Sequence, residues 1–284
     1  MSHIRTFKVK AFGDSDFHVE FYDSAYQVVE DCKVRKMTSS EFHDMRHYDI
    51  DRWHGVNSYD DALKLMETGY QPTVDKLKAS IKANLSGQAK RISFHNDVVG
   101  YAPIVPLAIM GVPQSMMNSY MKPVKAKVID VYYDMTASCG MKAKQFIDAG
   151  SKLLAAIMEL EMQGYRMNIY ATQNYYRDDA DMLCVKVKSA NQPLDLKRIS
   201  FPLTHPAFFR VIGFDWYSKV PGGKYRFGYG HSVAYDYDEE ALQKGFKEMF
   251  GDNAVAFSCA KIIKTDIEHI KEVMKCGSGK KTEN

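Results

Sequence analysis

The chain has 284 residues, long enough for one large domain or two modest ones, with 45% hydrophobic and 12% aromatic side chains and a formal net charge of +3. That composition is ordinary for a globular protein, and so small a charge excludes wholesale nucleic-acid binding, leaving at most a local basic surface. The five cysteines, at 32, 139, 184, 259 and 276, are scattered and never spaced C-x-x-C, which argues against a disulfide framework or a cysteine zinc site and for a reducing compartment. The opening residues lack an apolar signal-peptide core and no apolar run approaches the length of a membrane span, so a soluble, cytoplasmic protein is expected.

In chain order, the alternating stretch 6–12 reads as a strand, with 17–22 as its hairpin partner. Thr38 with Glu41 forms a capping-box pattern that predicts a short helix. Ser58 caps a second helix, with Ala62, Leu63, Leu65 and Met66 on its apolar side and Gly69 at its end. A third amphipathic helix begins near Pro72 and stops before Gly87. These elements predict a smaller α+β portion over residues 1–88. Prolines at 103, 106, 113 and 123 then exclude a continuous helix. After them come a strand at 125–133, a helix at about 142–163, strands at 165–172 and 182–188, and a helix near 194–212. A hairpin around Gly230, a helix at 238–250 and a strand at 254–260 follow, and residues 276–284 read as a disordered tail. A near-continuous apolar strand, a helix and a second strand mark a mainly parallel sheet flanked by helices, here over 89–275, and ligands of such sheets sit beyond the carboxyl ends of the strands.

The chemistry-bearing candidate lies there. Asp134, Thr136 and Ser138 alternate, so in an extended loop they share a side. A carboxylate and two hydroxyls suit Mg²⁺ or Mn²⁺. Spacing alone favours a plainer reading, in which Ser138 caps the following helix and Asp134 answers its positive end. That helix would bury Phe146, Ile147, Leu153, Leu154 and Ile157.

The segment VIDVYYDMTAS, the amphipathic helix and GYRMNIYAT resemble the start of a von Willebrand factor A-like domain, whose D-x-S-x-S motif supplies a metal-ion-dependent adhesion site. Asp134, Thr136 and Ser138 match it with Thr in the middle place. The resemblance implies a Rossmann-type α/β fold and a further Thr and Asp from later loops. Thr172 or Thr204, and Asp178, Asp179 or Asp215, are eligible. Over residues 53–175 the chain also resembles an uncharacterised family encoded by tailed bacteriophages, through WHGVNSYDDALKLMETGY, GVPQSMMN and ASCGMKAKQFIDAGSKLLAAIMELEMQGYRMNIYAT. That resemblance implies a gene product acting in the cytoplasm of an infected bacterium.

Other candidates are weaker. His43 and His47 stand i, i+4 on the expected helix with His54 nearby, but the H-E-x-x-H pattern is absent, and a solvated helix face is the better reading. Tyr225, Phe227 and Tyr229, with Lys224, Arg226 and His231, are of the types that stack bases and neutralise phosphates, against the plainer reading of a core face continued by Val233, Tyr235 and Tyr237. No phosphate loop, nucleophile elbow or partnered nucleophile appears. The expected function is a non-enzymatic module that binds a protein partner at the carboxyl edge of its sheet. A nucleic-acid-binding factor for phage replication or transcription is the alternative.

Overall fold

A computed structural model of the chain describes residues 2–35, 53–84, 93–120, 127–176, 179–220 and 231–277. The histidine pair at 43 and 47 with its helix, and the aromatic and basic positions 224–229, lie outside these residues.

Strands β1 (His3–Val9) and β2 (Ser15–Tyr22) form an antiparallel hairpin, and helix α1 (Ala25–Val34) follows. The predicted end of β1 is instead a 3₁₀ turn at Lys10–Phe12, closed by Gly13 at φ 69°. Helix α2 (Tyr59–Thr68) starts where Ser58 accepts the Asp61 N–H at 3.1 Å and ends at Gly69, as its caps predict. Helix α3 spans Gln71–Asn84. Past residue 127 come β6 (Val128–Asp134), α5 (Ala143–Met162), β7 (Arg166–Tyr176), β8 (Ala180–Lys188) and α6 (Leu196–Thr204). A π-helical turn at Phe208–Gly213 then runs into α7 (Phe214–Ser218), so the single helix expected at 194–212 is broken. The last elements are α8 (Glu239–Phe250), β9 (Ala254–Ser258), α9 (Cys259–Ile262) and α10 (Ile267–Gly277).

The molecule is mixed α/β. Its six-stranded sheet has the order β1-β2-β8-β7-β6-β9. β2–β8, β6–β7 and β6–β9 are parallel, whereas β1–β2 and β7–β8 are antiparallel. Ile129, Val131 and Tyr133 of β6 point to one face, where α5 buries Phe146, Leu153, Leu154 and Ile157. Gly150 lets α5 approach α6 closely, because a Cβ there would stand 2.0 Å from the Leu203 carbonyl oxygen. Tyr132 points to the other face, into a cluster with Phe12, Phe17, Met182 and Phe246.

Two expectations are corrected. The chain does not divide near residue 88: residues 1–77 and 127–284 make one compact unit, and 78–126 another. The N-terminal hairpin belongs to the main sheet because β2 pairs with β8 along six residues, Phe17 to Tyr22, and because Trp216 Nε1 donates to the buried Glu20 at 2.9 Å. Nor does the tail begin at 276: Cys276 and Gly277 end α10, and Gly277 lies against the Val255 side chain.

The second unit contains a three-stranded antiparallel sheet, β3 (Ser93–Asp97), β5 (Met116–Tyr120) and β4 (Ala102–Pro103) in that spatial order, with the short helix α4 at Val105–Ile109. Val98, Val99, Tyr101, Val105, Ile109 and Met110 are exposed there, a concentration of apolar surface unusual for a soluble domain. No helix among the described residues is long and apolar enough to cross a membrane.

Candidate functional site

β6 delivers Asp134 to the carboxyl end of the sheet, in register with Thr172 of β7 on one side and Ser258 of β9 on the other. Aligned residues of parallel strands share a face, so these three side chains form one polar row beneath the turn Val233–Tyr235. All three are buried. Ser232 donates to one carboxylate oxygen of Asp134, and the Thr136 N–H donates to the other at 2.9 Å. The Thr136 hydroxyl accepts the Asn174 N–H at 2.8 Å, and the Asn174 side-chain oxygen accepts the Val233 N–H at 2.8 Å. The hydroxyls of Thr172 and Ser258 have no hydrogen-bond partner among the described residues. Burial pushes the Asp134 carboxyl up to about 6, against which the hydrogen bonds from Ser232 and Thr136 act.

The candidate triad is therefore only partly assembled. Asp134 and Thr136 come together, but Ser138 is exposed and stands outside the buried row. Nor does Ser138 cap the helix: α5 begins at Ala143, where the Gln145 side chain accepts the Lys142 N–H at 2.8 Å. Of the other eligible residues among those described, only Thr172 joins Asp134. Thr204 donates to the Ser200 carbonyl at 2.7 Å, Asp179 accepts the Asp16 N–H at 3.1 Å, and Asp215 accepts from the Tyr59 hydroxyl at 3.2 Å. Asp178 lies outside the described residues.

These residues do not fit a divalent cation. Among the described residues the set offers one carboxylate, desolvated and with both oxygens already accepting, and no second acidic side chain to offset the loss of the ion's hydration. Among the described residues no group of three His, Cys, Asp or Glu side chains converges. Magnesium is accordingly expected to leave the melting temperature unchanged relative to EDTA. A magnesium-dependent rise that Asp134→Ala removes would restore the cation.

What the site does assemble is a fixed loop. Arg210, 1% exposed, projects from the π-helical turn and donates to the carbonyls of Trp53 at 2.7 Å, Ser138 at 3.1 Å and Met141 at 2.7 Å. Its guanidinium lies 4.5 Å from the Trp53 ring centroid and 4.7 Å from that of Phe146. Burial lowers its pKa to about 10, so it stays charged at neutral pH. Trp53 Nε1 donates to the Cys139 carbonyl at 2.9 Å, and the Tyr235 hydroxyl accepts the Ser138 N–H at 2.9 Å. The π-helical widening has a visible cause. The Gln173 side chain enters the turn and donates to the Phe208 carbonyl at 3.2 Å, in space that a Cβ on Gly213 would fill. The backbone from 135 to 141 is thus tied down, while Ser138, Cys139 and Gly140 face solvent beside the exposed Tyr235.

The alternative interface is met only at its rim. His231 is exposed and pairs with Asp236 at 2.7 Å. Of the core face expected at Val233, Tyr235 and Tyr237, Val233 is buried in the core cluster and Tyr237 packs against it, but Tyr235 is exposed and Ala234 buried in its stead, because the backbone is a 3₁₀ turn and not the second strand of a hairpin. Arg210, Asn174, Ser232 and Ser258 escaped the sequence reading. An arginine within the apolar run Phe208–Gly213 was the one available signal.

A family model described as a domain of unknown function (DUF7192) matches residues 14–266. The chain belongs to this family. The DUF7192 match takes in β6, Arg210 and Tyr235. No curated protein matches the chain. No solved structure matches it either.

Proposed function

We propose that this DUF7192 chain is a non-enzymatic interaction module of phage origin, acting in the cytoplasm of an infected bacterium and binding a protein partner through the 138–140 loop and Tyr235. The reading rests on one observation: a buried cation and two aromatic side chains immobilise a loop whose own side chains are left exposed. Such pre-organisation lowers the ordering cost of binding. The order β8-β7-β6-β9, with β8 alone antiparallel to its neighbour, supports a von Willebrand A-like core. The exposed apolar residues at 98–110 also favour an assembly role.

The test is a tagged pull-down from infected cells with nuclease treatment, comparing the natural chain with a Ser138→Lys/Cys139→Glu variant. A protein retained after nuclease and lost in the variant is the expected result. Recovery abolished by nuclease would instead favour nucleic acid and the surface around His231.

A further inference from the structure

The sheet ends at β9, which has no strand on its outer side among the described residues. An open edge of this kind is a template for pairing, and proteins guard it. At the opposite end, β1 is guarded by exposed charge, carrying Arg5 and Lys8. β9 has no such charge: its residues are Ala254, Val255, Ala256, Phe257 and Ser258. Its guard is Gln243 of α8. The Gln243 Nε2 donates to the Ala256 carbonyl at 2.6 Å, and its Oε1 accepts the Ala256 N–H at 2.9 Å. A carboxamide is a peptide group on a side chain, so Gln243 makes at Ala256 the pair of bonds that a neighbouring strand would make.

Around this plug lies a cleft of about 440 Å³, walled by α8 and α10 and floored by Val255. Glu239, Glu240 and Glu272 line it, against a single lysine, Lys247. His269 is drawn to Glu239 at 3.2 Å.

We infer that this cleft receives an extended, lysine- or arginine-bearing segment of a partner protein, which displaces the Gln243 amide and adds to β9 as a seventh strand. The main-chain groups of β9 supply the ladder, the three glutamates supply selection for basic side chains, and the released amide is rehydrated at little net cost. Gln243 keeps the edge closed against unselective pairing until such a segment arrives. This surface is separate from the 138–140 loop.

The test uses the full chain and two fluorescein-labelled octapeptides, one alternating Val with Lys and one alternating Val with Glu, read by fluorescence anisotropy. The Val/Lys peptide is expected to bind, more weakly as salt rises, and the Val/Glu peptide not to bind. Gln243→Ala should tighten Val/Lys binding severalfold by uncovering Ala256. Glu240→Lys with Glu272→Lys, both exposed positions, should weaken it about tenfold. The Ser138→Lys/Cys139→Glu variant should bind the peptide normally, which keeps this inference distinguishable from the loop reading. Equal binding of both peptides, no binding, or unchanged affinity in Gln243→Ala would overturn it. So would concentration-dependent dimerisation of Gln243→Ala, since the occupant would then be a second copy.

Discussion

Arg210→Met is expected to destabilise the protein by about 3 kcal/mol in urea unfolding, the scale of removing a buried, hydrogen-bonded cation. Methionine keeps much of the stem volume but leaves the carbonyls of Trp53, Ser138 and Met141 without their donor and removes the cation from between the Trp53 and Phe146 rings. Relief of the charge's desolvation offsets part of that loss. The loop gives the more specific readout. Cys139 is exposed and its carbonyl is held by Trp53, so a thiol reagent should label it faster in the variant, and amide exchange should accelerate at Met141. Arg210→Lys should not rescue, because one ammonium lacks the planar fork that reaches carbonyls on separate segments. Unchanged exchange at Met141 would show that Arg210 is a packing residue without hold on the loop.

Legibility followed the range of the interaction. Ser58 and Gly69 mark the ends of α2 because capping is settled within a few residues. β6, α5 and β7 stand out because a strand buried on both faces is continuously apolar and α5 carries a stripe at helical spacing. The pairing of β2 with β8 joins residues more than 150 positions apart, and nothing local in FHVEFY reports its partner. At 233–237 the alternation failed at Tyr235: the backbone is a 3₁₀ turn, which buries the neighbouring Ala234 and leaves Tyr235 exposed, because a strand's period of two does not apply to a turn. The D-x-T-x-S pattern placed Asp134 and Thr136 beside each other, but residues distant in sequence decided their partners: Ser232 donates to the Asp134 carboxylate and the Asn174 N–H to the Thr136 hydroxyl.

Asp134 should make the protein less stable as pH rises from about 4 to about 6. Its carboxyl titrates near 6 in the folded chain and has an ordinary value of 3.8, so between those values the folded state holds a proton that the unfolded state has released. Stability falls with pH wherever the folded state binds more protons, and the full interval amounts to about 3 kcal/mol. Carboxylates whose pKa is lowered in the fold, such as Glu20 beside Arg35 and Trp216, act in the opposite sense, so the raw profile mixes both signs. The difference between the natural chain and Asp134→Asn isolates the group. Denaturant midpoints taken from pH 4 to pH 7 should give a natural-minus-variant curve that drops by about that amount and is flat above pH 6.5. Parallel curves would show that the carboxyl is not desolvated. Asp134→Ala is a different experiment, since it strips the acceptor from Ser232 and the Thr136 N–H and should destabilise at every pH. The carboxylate thus raises the cost of folding at neutral pH while fixing the two donors, Ser232 and the Thr136 N–H, that set the direction of the loop after β6.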